Sequence, residues 1–316
     1  MPEHWGLLGH EWAVALLKGQ VARGNVRHAY LFTGAEGAGR RTLALRLAEA
    51  VNCTQPPAPG EFCGHCRNCR GFASGEHADF LVLERQEGDR EIKVAALREL
   101  MRSISRTPLE AKIQVAMLRN FHEASGEAAN AMLKTLEEPN PSVLICLTAP
   151  VADSLPETIV SRCELIRLRP MAIHALASEL QALLKIDKER ATLLASLGEG
   201  LPGRAIRLHK DPQTLQLRSK WLDAGEEQLT NDRVQRFAFA DKASKDREGL
   251  QGQLLIWLSF WRDVLLRASG TTSPIANPDR GEKIGQLAAQ LPFDAVYRAV
   301  VKIGRASCRE RVYVLV

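Results

Sequence analysis

The sequence predicts an α/β fold: a parallel five-stranded sheet with helices on both faces, followed by helical domains. Three observations predict it. A short apolar run, Ala29 to Thr33, leads into the glycine-spaced loop GAEGAGRRT and then an alanine- and leucine-rich helix through Val51. Four more apolar runs follow, at Phe80 to Leu83, Ile113 to Leu118, Val143 to Thr148 and Glu164 to Leu168, each set apart by a helical pattern or a turn. After Pro170 strand-like runs cease. Strands alternating with helices give a parallel, doubly wound sheet, because each crossover helix carries the chain back to the same edge.

The elements follow in order. Ile92, Val94, Leu97, Leu100, Met101 and Ile104 recur at helical spacing, so this helix packs on the sheet between the second and third strands. Gly126 to Glu138 forms another helix, stopped by Pro139, whose ring removes a donor and clashes with the preceding turn. Beyond the sheet come helices at Ile173 to Leu184 and Lys188 to Leu197, a glycine-rich break at GEGLPGR, and a short helix to His209. From Asp211 the chain is helical again, with Leu254, Leu255, Trp257, Leu258, Trp261 and Leu265 forming an apolar stripe in which the tryptophans read as core. The segment Asp241 to Gly249 reads as a solvated loop. The implied boundaries are 1–168, 169–209 and 210–302. The last stretch, 303–316, begins IGRASCRERV, which matches one reading frame of a common sequencing-library adapter and is set aside as non-native; the alternative is a genuine basic C-terminus.

Composition excludes several classes. At 316 residues, with 45% hydrophobic and 25% charged, the chain is an ordinary globular protein that needs no disulfide staples. A formal charge of +5 permits contact with nucleic acid but is too small to argue for it. No run approaches the roughly 18 apolar residues needed to span a bilayer, and the N-terminus lacks the order of a secretory signal, so a cytoplasmic protein is expected.

Three groups of residues carry chemistry. The glycines Gly34, Gly37 and Gly39 have the spacing of a Walker A loop, in which backbone amides and a helix N-terminus cradle phosphates. Arg40 stands where that motif has lysine, and Arg41 where a hydroxyl would ligate magnesium. A guanidinium is no neutral replacement for an ammonium, and a second cation repels the metal. Thr42 keeps a hydroxyl, but one residue further along a helix it points about 100° away. A glycine turn without nucleotide and residual nucleotide binding both stay open. At the end of the third strand, where a hydrolase needs acids, the chain reads Arg119-Asn120-Phe121-His122, and the nearest acid, Glu123, comes late.

Cys53, Cys63, Cys66 and Cys69 offer four thiolates within seventeen positions, enough to close a tetrahedral zinc site with no position left for water. Such a site is structural. A redox pair at Cys66 and Cys69 or an iron-sulfur cluster are the lesser readings, and His65 is a competing ligand. Cys146 and Cys163 read as core thiols. In Ser161-Arg162-Cys163, Arg162 lies at the rim of the sheet, where it is either merely solvated or able to reach a neighbour's γ-phosphate.

HAYLF before the glycine loop, the four-cysteine insertion after the first helix, EAANAMLKTLEEP from Glu127 to Pro139 and Ser161-Arg162-Cys163 together resemble the clamp-loader subunits of bacterial DNA polymerase III, of the AAA+ class. The likeness covers residues 4–209 closely and the C-terminal part weakly. The eroded loop and missing acids resemble the delta-prime branch of that family rather than gamma and tau.

The resemblance implies an AAA+ core, a helical lid domain and an all-helical collar that joins five subunits. It implies that Leu147 to Pro150 is the sensor 1 region and Arg204 the sensor 2 position. It also implies an ATP-inert subunit that presents Arg162 as an arginine finger to ATP on a neighbouring gamma or tau subunit. With delta completing the ring, the assembly would open a sliding clamp on primer-template DNA. Two other readings are a catalytic gamma- or tau-like ATPase, against which Arg40, Arg41 and Arg119 speak, and a zinc-dependent DNA-binding regulator.

Overall fold

The computed structural model describes residues 5–104 and 107–309. The chain forms two compact units: one holds the residues up to Met171 together with Leu201–Gly203, the other Ala172–Gly200 and the chain from Arg204 onward. The helices of the expected lid and collar segments thus belong to one unit.

The first unit runs α1 (Glu11–Ala22), β1 (Ala29–Thr33), α2 (Arg40–Asn52), α3 (Arg67–Ser74), β2 (Phe80–Leu83), α4 (Val94–Ile104), β3 (Gln114–Leu118), α5 (Gly126–Glu137), β4 (Val143–Ala149), α6 (Glu157–Val160) and β5 (Glu164–Arg167). The five strands form one sheet in the order β2-β3-β4-β1-β5. All pairings are parallel, with Thr33 opposite Ala149 and Arg167, and Leu118 opposite Leu147 and Leu83. The three central strands are buried along their whole length, which is why they read as unbroken apolar runs. The edge strands are half-exposed.

Alternate strand residues serve two cores. Tyr30, Phe32, Val115, Met117, Leu144, Cys146 and Ile166 face α1, α2 and the cysteine segment. Ala29, Leu31, Ala116, Leu118, Ile145 and Leu147 face α4, α5 and α6. The period-2 alternation of a strand therefore places helices on both faces, as the sequence predicts. Helix α1 has no side-chain cap and only a weak helical periodicity, and α3 is just eight residues long and overlaps the cysteine segment, so neither is marked in the sequence.

One carboxylate ties the β2 edge to the turn before β3. Asp79 is fully buried and accepts from the backbone N–H of Leu109 (2.8 Å), Glu110 (2.7 Å) and Ala111 (2.8 Å). Burial alone would raise its pKa, but the three donors, with His77 adding, hold it below the usual carboxylate range.

The second unit contains α7 (Ile173–Leu184), α8 (Lys188–Leu197), most of α9 (Pro202–Lys210), α10 (Pro212–Thr230), α11 (Arg233–Ser244), α12 (Arg247–Ala268), α13 (Gly281–Gln290) and α14 (Phe293–Arg309). Aspartates start four of these helices: Asp187 accepts from Arg190 N–H, Asp211 from Gln213 and Thr214, Asp232 from Gln235 in a capping box, and Asp246 from Gly249.

Two expectations are corrected here. The stretch Asp241 to Gly249 is the end of α11 and the start of α12, not a loop, because the Asp246 cap begins a new helix two residues after the old one ends. Leu255 is 53% exposed rather than part of the packed stripe. One residue past Leu254 it is turned by about 100°, and Leu222, Phe260, Val264 and Ile284 fill the core instead. Trp257 is packed, as expected: its indole N–H donates to Trp221 O at 2.6 Å and its ring stacks on Phe239.

Residues 303–309 continue α14, with Ile303 and Ala306 buried against Leu250 and Leu254. The rest of the stretch set aside as non-native lies outside the described residues. Among the described residues no helix is long and apolar enough to cross a membrane.

Replacing Asp79 with Asn keeps the shape but puts an amide N–H₂ against backbone donors, and should destabilise the first unit by roughly 1–3 kcal/mol. In the native chain this depressed carboxyl contributes stability that is present above its unfolded pKa of about 3.9 and lost as pH falls through its lower folded value. Urea unfolding at a series of pH values should show the Asn variant weaker at neutral pH, with the difference shrinking below about pH 4.

Candidate functional site

The glycine loop leaves the C-terminal end of β1. Gly34 has φ +149°, and a Cβ there would stand 2.5 Å from Leu168 O, so no other residue fits where the loop passes the end of β5. The loop is held from two further directions. Gly203 N–H donates to Gly37 O at 2.8 Å, and the ring of buried His10 bonds Ala38 O at 3.1 Å. Protein groups alone thus hold the loop in place.

The side chains around it are of the wrong sign for magnesium. Arg40 opens α2 behind the cap residue Gly39, with Arg41 and Thr42 exposed beside it and no acidic residue in the first turn. Two cations at a helix N-terminus oppose the dipole there. The Arg40 Nη1 atom is buried and makes no hydrogen bond. Burial lowers the Arg40 pKa; Glu36 partly opposes this and Arg119 adds to it. His122 is likewise pushed down by burial, with Glu123 opposing and Arg40 adding.

The end of β3 carries no acid. Arg119 forms an ion pair with Glu84 at 2.5 Å, and Asn120 N–H donates to Thr148 Oγ1 at 2.8 Å. Glu123 is engaged by Arg85 at 3.0 Å. Glu84 went unmarked in the sequence because it follows the neighbouring strand, β2, and only the sheet order brings it beside β3.

Arg162 lies at the opposite edge of the same sheet. Tyr30 is in register with Glu164, so Arg162 sits level with the residues before β1, whereas the glycine loop begins after it. At about 3.3 Å per residue the two are separated by on the order of 20 Å along the strands. The guanidinium Nη1 donates to Thr158 O at 2.9 Å and Nη2 to Glu137 Oε1 at 2.7 Å. Arg204 belongs to the second unit and pairs with Glu199 at 2.7 Å.

The four cysteines converge. Cys53 follows α2, Cys63 and Cys66 lie in the turns before α3, and Cys69 is within α3. All four are buried and their sulfurs lie within 4.8 Å of one another. Cys63 and Cys69 Sγ are 4.0 Å apart, against about 3.8 Å expected across a tetrahedral ZnS₄ centre with Zn–S near 2.3 Å. Backbone N–H groups point at the sulfurs: Cys63 at Cys53 (3.3 Å), Cys66 at Cys63 (3.2 Å) and Cys69 at Cys66 (3.4 Å).

Burial raises the Cys66 thiol, but donation from Cys69 and Thr54 outweighs it and brings its pKa down to about 6. Burial pushes Cys53 and Cys69 up. The donor set thus fits one divalent metal in a closed site. His65 is outside it; its Nδ1 bonds Cys63 O at 3.0 Å. Cys146 is buried within β4 and Cys163 is partly buried beside β5, both with thiols pushed up by burial, Cys163 to about 12, as befits unreactive thiols packed on the core.

A parallel sheet in the order β2-β3-β4-β1-β5 with a glycine loop after its β1 strand defines a P-loop protein of the AAA+ type. A family model described as "DNA polymerase III, delta subunit" matches residues 9–172, and the chain belongs to that family. It is 28% identical over 298 residues to DNA polymerase III subunit delta' of Bacillus subtilis, covering 93% of this chain and 88% of that one. It is 34% identical over 201 residues to subunit delta' of Pseudomonas aeruginosa, covering 63% and 61%. Subunit tau of Escherichia coli is 31% identical over 207 residues, which is 64% of this chain and 32% of tau. The chain is a DNA polymerase III clamp-loader subunit of the delta', gamma and tau group.

Elemental analysis of the purified chain should find one zinc per molecule, and Cys66→Ser should lose it. Because the cysteine segment is part of the first unit's core, a strong chelator should lower that unit's melting temperature.

Proposed function

We propose that this chain is a noncatalytic delta' subunit of the clamp loader, which supplies Arg162 in trans to ATP on a neighbouring gamma or tau subunit. The observation that carries the reading is the polarity of the sheet. Arg162 and the chain's own phosphate-type loop lie at opposite ends of parallel strands, so the arginine cannot reach a phosphate held in that loop. A phosphate it serves must come from another molecule.

The loop supports the same division of labour. Arg40 and Arg41 occupy the lysine and magnesium-ligand positions, Arg119 stands where the acid of a hydrolase would be, and the acids nearby are engaged by Arg119 and Arg85. Magnesium has no carboxylate at the end of β3, and a water there has no base to polarise it. The role of the loop is then to keep α2 and its neighbours in shape. The zinc centre, being closed and packed into the core, is structural. The second unit would contribute the collar that joins gamma or tau and delta subunits into a five-membered ring. That ring, acting in the cytoplasm, would place a sliding clamp on primer-template DNA.

The mechanism asks one thing of Arg162. As the bond to the γ-phosphoryl group breaks, negative charge grows on its oxygens, and a guanidinium fixed beside them stabilises that charge more than it stabilises bound ATP. The effect appears in turnover rather than in ATP affinity.

The purified chain should show no magnesium-dependent ATP turnover, and Arg40→Lys with Arg41→Thr should not create any, because the acids remain missing. Arg162→Ala should leave fold and zinc content unchanged yet lower DNA-stimulated ATP turnover of the reconstituted loader about tenfold or more. Turnover by the chain alone would favour the gamma- or tau-like reading, and an unchanged rate with Arg162→Ala would remove the finger.

A further inference from the structure

Arg162 is not free in this structure: a backbone carbonyl and a carboxylate hold it. Its Nη1 donates to the carbonyl of Thr158 at 2.9 Å, and its Nη2 to the Glu137 carboxylate at 2.7 Å. The two acceptors come from different helices. Thr158 lies in α6, the turn that precedes Arg162, and Glu137 is the last residue of α5.

Both helices are fixed by burial. Leu136, beside Glu137, and Ile159, beside Thr158, lie in one apolar cluster on the same face of the sheet. The end of α5 is also set by sequence: the Ser125 side chain caps its start by accepting from Ala128 N–H at 3.1 Å, and Pro139 follows its last residue by two. The position of the Glu137 carboxylate is therefore a property of the scaffold and not of a loop.

We propose that Glu137 is a positioning residue for Arg162: it tethers the guanidinium in the reach and orientation at which it meets a neighbour's γ-phosphate. This rests on the trans role of Arg162 proposed above. An arginine at a surface otherwise wanders among many rotamers, and a catalytic group held loosely loses much of its effect. Two anchors on one side of the planar group fix its plane while using two of its five N–H donors, which leaves the rest for phosphate oxygens. Both side chains are partly open, 35% exposed for Arg162 and 51% for Glu137, so the pair faces outward where a neighbouring subunit can arrive.

The geometry separates tethering from simple stabilisation. An ion pair this exposed contributes little to folding, so removing Glu137 should leave the fold intact. Its consequence should lie in the transition state alone.

The test is a double-mutant cycle in the reconstituted loader, reading kcat and KM for ATP with clamp and primed DNA present. Glu137→Ala should lower kcat about threefold with KM unchanged. Arg162→Ala should lower it about tenfold or more. The double variant should be no slower than Arg162→Ala, because a tether with nothing to hold has no effect. Glu137→Gln, which keeps an acceptor oxygen in place, should recover most of the lost rate. Zinc content and melting temperature should be unchanged in all of them.

Additive losses in the double variant would overturn the proposal, as would a Glu137→Ala enzyme of normal kcat or a Gln variant as slow as Ala. Arg162→Ala without effect while Glu137→Ala is slow would overturn the finger itself, and so would be told apart from failure of the tether.

Discussion

The common direction of the five strands is the constraint on which everything else depends. A crossover helix must return each strand to the same starting edge, so every loop after a strand gathers at one end of the sheet and every residue before a strand at the other. The glycine loop follows β1, and Arg162 precedes β5. No rearrangement of side chains can bring them together, because the length of the sheet stands between them. The separation of the glycine loop from Arg162 is thus built into topology before any residue chemistry is considered.

Electrostatics then distinguishes the two ends. Around the loop, Arg40, Arg41, Arg119 and His122 gather; burial lowers the pKa values of Arg40 and His122, with Arg119 adding at Arg40 and Arg40 adding at His122. The Arg40 Nη1 atom is buried without a partner. At the other end two of the Arg162 N–H donors are engaged, by a carbonyl and a carboxylate. For the trans role proposed for Arg162, partners at the surface suit a guanidinium better than buried ones, which would be costly to leave.

Much of the first unit could be read from the sequence, because strands buried on both faces must be continuous apolar runs. The five runs agree with β1 to β5 to within a residue or two. Cys53, Cys63, Cys66 and Cys69 were equally legible, since four thiols at that spacing have few other uses. What escaped notice is what the fold assembles from distance. Glu84 reaches Arg119, and Glu137 reaches Arg162, across 35 and 25 positions of sequence, and nothing local marks either pair. Leu255 and the Asp241 to Gly249 segment escaped for a different reason. A one-residue step turns a helical side chain by about 100°, and a polar stretch can be either a loop or the junction of two capped helices.

The cysteine centre and the glycine loop are the two ends of one helix. α2 begins at Arg40, beside the loop, and ends at Asn52, next to Cys53. Asn52 is fully buried. Its side-chain amide donates to Ile113 O at 3.0 Å and its oxygen accepts from Ile113 N–H at 2.9 Å, while Asn68 of α3 donates to its backbone carbonyl at 2.9 Å. The C-terminal end of α2 is therefore fastened both to the strand region and to the cysteine segment. A P-loop protein that binds nucleotide gains stability from it by mass action, and a loop that takes none forgoes that gain. Here the loop is held by Gly203, His10 and the packing of Gly34 on Leu168, and the far end of its helix by Asn52 and the four-cysteine cluster. In the proposed noncatalytic subunit, zinc held by these cysteines would do what a bound nucleotide does for an active one: it would keep α2 in its place on the sheet, and with it the frame that carries Arg162.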